Sequence, residues 1–189
     1  MQKPMSKAFY LGGYFGGLVI FGILYVVAFG GMMMAAQRNP NQVPTAGVGL
    51  MGLAFVPLIF SMVVLAMFLH RMWASIQDGQ ARMSPGKAVG FMFIPLFNIY
   101  WLFQVIYGFA QDYNKYIARR SVSVPRLNEQ LFLFYPISAL ACVVPFANLL
   151  AAPASIVLMV IVVVQTCDAV NALIAASAPG RTMAMSAGK

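Results

Sequence analysis

Four long stretches of this 189-residue chain carry no charged side chain, and they constrain the fold more than any motif does. Lys7 to Arg38 encloses 30 uncharged residues, Arg38 to Arg71 encloses 32, Lys87 to Asp112 encloses 24 and Glu129 to Asp168 encloses 38. A helix needs about 20 apolar residues to cross a bilayer, so each stretch is long enough. Apolar residues make up 61% of the chain and charged residues 8%, where soluble domains sit near about 45–50% and about 25%. The chain reads as an all-α integral membrane protein, a single membrane domain over residues 1–189. That excludes a nucleic-acid module, a disulfide-stapled secreted domain and a soluble enzyme.

The net charge of +8 fits the gathering of cations at the cytoplasmic ends of membrane helices and beside anionic lipid. Lys3 and Lys7 ahead of an apolar run imitate a signal peptide, but the run exceeds an h-region of about 7–15 residues. It reads as an uncleaved first span. Spans are expected over about residues 9–36, 50–77, 127–144 and 149–176, with Trp73 at interface depth. Turn signals at Asn39-Pro40, Pro44 and Gly47 separate the first two. The tract from Glu129 to Asp168 needs two spans, because a straight helix of that length would run about 57 Å against a core of about 30 Å. The break falls at Pro145-Phe146-Ala147-Asn148.

The tract 88–111 decides the topology. If it crosses once, the twelve Lys and Arg divide five to seven; if it dips in and returns, Arg38 stands alone outside and eleven lie inside. The positive-inside rule selects the second arrangement. Pro95-Leu96-Phe97-Asn98 also interrupts the tract after a short arm. Four transmembrane helices plus a re-entrant or interfacial helical hairpin over about residues 85–114 are therefore expected, with both termini cytoplasmic. Backbone at such a break needs shielding by protein or water, since lipid cannot satisfy it.

Two segments share an order of features: Ile94-Pro95-Leu96-Phe97-Asn98 leading to Asp112 and Asn114, and Val144-Pro145-Phe146-Ala147-Asn148 leading to Asp168 and Asn171. Proline removes a backbone donor, and an Asn three residues on can cap the following helix. Broken helices of this kind hold binding sites in some repeat-built membrane proteins, and they also serve simply as turns. Gln165, Asp168 and Asn171 share one helix face. They would line an ion or solute path, or Asp168 would pair with Arg71, Arg119 or Arg120; the ion pair is the favoured reading. Lys115, Arg119, Arg120 and Arg126, with neighbouring tyrosines, suit anionic phospholipid headgroups. Gly12, Gly13, Gly16 and Gly17 form overlapping GxxxG steps that admit a helix of this chain or of a partner subunit.

Catalytic and cofactor chemistry finds few residues here. Cys142 and Cys167 lack CxxC spacing and read as packing residues. A lone His70 cannot supply a zinc site or two haem ligands. Ser84-Pro85-Gly86-Lys87 imitates a phosphate loop, but Ala88 follows the Lys and the glycine spacing is wrong. No cofactor, no metal and no enzymatic activity are expected.

Residues 72–117 carry Pro85, Gly86, Ala88, Val89, Gly90, Pro95, Asn98, Tyr100 and Trp101. In this the chain resembles an uncharacterised bacterial polytopic membrane protein family with a Pro-Gly, Ala-Val-Gly, Pro-x-x-Asn-x-aromatic motif, some members of which are fused to a GYF-like domain. The resemblance implies a bacterial inner (cytoplasmic) membrane location and no particular activity. The function expected is that of an accessory or scaffold subunit of a membrane complex. The alternative is a small oligomeric channel or transporter with its path near the Pro-x-x-Asn breaks and Asp168. Partners expected are the lipid bilayer with its anionic phospholipids, and a membrane-protein partner or a second copy of the chain.

Overall fold

A computed structural model describes residues 3–39 and 45–177, and within them every regular element is helical. The helices are α1 (Lys7–Arg38), α2 (Thr45–Ala74), α3 (Pro85–Gly90), α4 (Phe97–Arg119), α5 (Glu129–Ala141) and α6 (Asn148–Ala176), with a 3-10 turn over Phe91–Phe93. Three of them, α1, α2 and α6, are long and apolar enough to cross a membrane. This corrects the expectation of four spans plus a hairpin. The segment expected to span at 127–144 is the 13-residue α5, about 20 Å long at 1.5 Å per residue. The turn around Pro145 consumes the rest of the stretch. Gly47 also lies inside α2 rather than in a loop, and the Pro40 and Pro44 signals fall outside the described residues.

The chain divides into two compact units, residues 8–67 and residues 3–7 with 68–177. In the first, α1 and the N-terminal part of α2 approach through small residues. A Cβ on Gly17 would collide with Ser61 Oγ and stand 2.7 Å from the Pro57 carbonyl oxygen. Ser61 Oγ donates to the Tyr14 carbonyl at 2.9 Å and lies 3.1 Å from the Pro57 carbonyl. Its hydroxyl thus ties the two helices without any charge. Most large side chains on these helices face outward (Val19, Val26, Val56 and Ile59 among them), as lipid-facing helices require.

In the second unit, the end of α2 packs against α4. Trp73 is fully buried: its Nε1 donates to the Val105 carbonyl at 3.1 Å, and Phe109 meets it edge-on with centroids 5.6 Å apart. Tyr113, Phe132, Val162 and Val170 complete a core shared by α4, α5 and α6. Two broken hairpins build this unit. Helix α3 and the 3-10 turn lead through residues 94–96 into α4, and α5 leads through residues 142–147 into α6.

Candidate functional site

The two hairpin breaks are the same backbone device. Leu96 has φ 64 and Phe146 has φ 65, both in the left-handed region and neither a glycine. At each, a tight turn closes across the positive-φ residue: Phe97 N–H donates to the Pro95 carbonyl at 2.7 Å, and Ala147 N–H to the Pro145 carbonyl at 2.8 Å. Asn98 N–H then reaches back to Ile94 (3.0 Å), as Asn148 N–H does to Val144 (3.2 Å). Ile99 to Leu96 and Leu149 to Phe146 repeat the next bond. A large side chain in this region costs on the order of 1–3 kcal/mol, so surrounding structure must hold it. The bonds of Asn98 and Asn148 come from their backbones. Neither caps its helix with its side chain, contrary to the expected role.

Asn98 lines a cleft of about 190 Å³ with Met92, Ile99 and Leu102 from the first hairpin and Pro136, Leu140 and Val143 from the second. The two tips therefore lie side by side. Near the first, Trp101 Nε1 donates to the Ala88 carbonyl at 3.2 Å, and its ring stacks on Phe97 and meets Phe91 edge-on. Pro95 and Pro145 are exposed at the tips.

The opposite end of this unit is polar. Arg82 lies across α4 with its backbone N–H, Nε and Nη2 all donating to Asp112, at 2.8–3.0 Å. Gly108 lets the guanidinium lie close on α4: a Cβ there would stand 2.8 Å from Arg82 Nη1, and the side chain would have to shift. Asp112 is only 7% exposed, so loss of this partner would leave a buried carboxylate uncompensated. Arg119 binds Asp78 at 2.8 Å. That hydrogen bond first, then the Gln80 backbone N–H, holds the Asp78 carboxyl below its ordinary 3.8.

Asn114 brackets Leu127, donating to its carbonyl at 3.0 Å and accepting its N–H at 2.9 Å, while Nδ2 also reaches Glu129 at 2.9 Å. Asn171 brackets Met5 in the same way, at 2.6 and 2.9 Å. Asp168 pairs with Lys7 at 2.6 Å, not with the arginines expected for it, and keeps 59% of its side chain exposed. Gln165 and Asp168 line a cleft of about 200 Å³ with Arg126, Asn128 and Pro125.

Among the proposed headgroup residues, Lys115 and Arg126 are exposed, Arg120 lies 5.7 Å from the Tyr116 ring and Arg119 is engaged by Asp78. The glycines of α1 divide into two faces. Gly13 and Gly17 meet Val64 and Ser61, whereas a Cβ on Gly12 or Gly16 would meet nothing within 4 Å. All four line an open groove of about 590 Å³ with Ile20, Leu24, Val56 and Phe60.

The structure thus brings Asp112, Asn114, Asp168 and Asn171 to the polar end and leaves Asn98 and Asn148 at the tips. Asn148 and Asp168 are about 30 Å apart along α6 at 1.5 Å per residue. Arg82, Gly108, Asp78 and Lys7 are the network members that sequence reasoning missed. Only Asp112, a lone acid at the end of a long neutral tract, could have flagged a need for a cationic partner. No group of three or more His, Cys, Asp or Glu side chains converges among the described residues. No family model, curated protein or solved structure matches the chain.

Proposed function

We propose that this protein is a non-enzymatic accessory or scaffold subunit of a membrane complex, resident in the bacterial inner membrane with its basic end cytoplasmic. The observation that carries this reading is the engagement of its acids. Asp78, Asp112, Glu129 and Asp168 each fasten one segment of the chain to another. General acid–base chemistry needs a positioned group free to exchange a proton with substrate. These carboxylates act instead as struts.

The outward face of Gly12 and Gly16 supports the same reading. Small residues let helix backbones approach closely in lipid, where apolar burial gives little drive for association. A partner's membrane helix seated in that groove would use a face the chain's own packing leaves open. Lys115, Arg120 and Arg126 suit anionic phospholipid at the basic end, each contributing about 1 kcal/mol near the surface.

Purification in mild detergent at native expression, with mass analysis, tests the proposal. A stoichiometric partner lost in Gly16→Leu is the expected result. A lone homo-oligomer that moves ions or solute after reconstitution would replace the scaffold with the channel reading.

A further inference from the structure

We infer that the two hairpins of the second unit are equivalent re-entrant elements: both enter the bilayer from the basic end and stop with their tips among lipid acyl chains. The second hairpin is then not a pair of crossing spans. The inference shares membrane residence with the proposed function but does not depend on a scaffold role.

Three observations carry it. The first is length. Arg82 lies against Gly108, and from there to the start of α4 at Phe97 is eleven residues, about 17 Å at 1.5 Å per residue. Helix α3 and the 3-10 turn descend over nine residues, about 15 Å. Helix α5 provides about 20 Å from its 13 residues. All fall short of a hydrocarbon core of about 30 Å. Helix α6 is longer because it continues past the arm it pairs with. Residues 125–128 already lie beside Gln165 and Ala169, and from there to Asn148 is about 26–32 Å, against the full 29 residues of α6.

The second observation is the surface of the tips. Leu96 is 83% exposed and Phe146 97%, flanked by Phe93, Val143, Leu149 and Leu150, all exposed. No charged residue occurs from Ala88 to Gln111 or from Gln130 to Cys167. In water such tips would leave a large apolar patch unburied; in lipid they are at home. The third is shared geometry. The hydrogen bonds around residues 94–99 recur around residues 144–149, so every tip amide from Phe97 to Ile99 and from Ala147 to Leu149 has an internal acceptor. Lipid demands that satisfaction of the backbone, and water does not. Because the tips also share one cleft, they reach a similar depth. The unit would then fill one leaflet more than the other.

Site-specific labelling of the full chain in proteoliposomes tests this, with Cys142→Ser and Cys167→Ala as background. Leu96→Cys and Phe146→Cys replace exposed side chains, and Asn39→Cys at the end of α1 is the aqueous control. The expected result is labelling of both tips by an impermeant maleimide, from either face, more than about tenfold slower than the control, because water is excluded from hydrocarbon. Detergent should restore equal rates in all three, which also shows that each thiol is free to react. Labelling of Phe146→Cys from the face that labels Asn39→Cys, at a matching rate, would make α5–α6 a crossing pair and overturn the inference. Labelling of either tip from the opposite face would place it in water and overturn it equally.

Discussion

The two units solve the same problem by opposite means. Residues 8–67 hold two long helices together through glycines, one serine hydroxyl and van der Waals contact. The second unit joins the short α3 and α5 to the longer α4 and α6 through tight breaks, fastened by charge pairs and by Asn side chains that grip backbone. A continuous helix satisfies its own backbone and needs from a neighbour only a close fit. A broken one exposes backbone groups and loop segments, which require specific polar partners. At the tips the turns close on their own backbone, so the polar side chains collect at the opposite end, where the loop segments must be tied.

Removing Arg82 should have the largest effect. Arg82→Ala leaves the buried Asp112 carboxylate unpaired and should destabilise the second unit by roughly 3–5 kcal/mol, as loss of one partner of a buried pair does. Thermal unfolding in detergent would read it, and Asp112→Asn in the same background should recover part of the loss. Undiminished stability would mean that charge pairing does not hold this unit. Gly17→Leu tests the other half of the comparison. It drives a side chain into Ser61 and Pro57 and should cost about 1–3 kcal/mol by overpacking, while Gly16→Leu, facing open space, should be nearly silent for folding. Equal effects of the two would erase the distinction between the faces.

Asn171→Ala should release the Met5 segment, at about 1–2 kcal/mol for a bracketing side chain lost from two hydrogen bonds. Faster proteolysis near residues 3–7, with the hairpin core still protected, is the expected signature. Asp78→Asn should give the smallest effect and a pH dependence. The folded carboxyl titrates below its ordinary 3.8, so its contribution is present above that pH and is lost as pH falls through the lowered value. Wild type and Asp78→Asn should therefore differ at pH 7 and converge in acid.

The neutral tracts made α1, α2 and α6 legible, because charge is costly in lipid and its absence over thirty residues has few other meanings. The proline breaks were also legible as places. Their geometry was not, since Leu96 and Phe146 take a positive φ for which sequence normally advertises glycine. The shortness of α5 is hidden for a related reason: an apolar turn at residues 142–147 looks in sequence like more helix. The Arg82–Asp112 contact depends on how residues 75–84 fold back over α4, which no local pattern encodes. Lys7 looks in sequence like a charge flanking α1, because its partner, Asp168, lies more than 160 positions away.

The bracket that Asn171 places on Met5 joins residues 166 positions apart. Non-local closures of this length are slow to form, because the intervening chain must be ordered first. During synthesis, residues 3–7 leave the ribosome well before α6, the last described helix, is made. The Asn171–Met5 closure therefore joins a segment to a helix that is translated long after it.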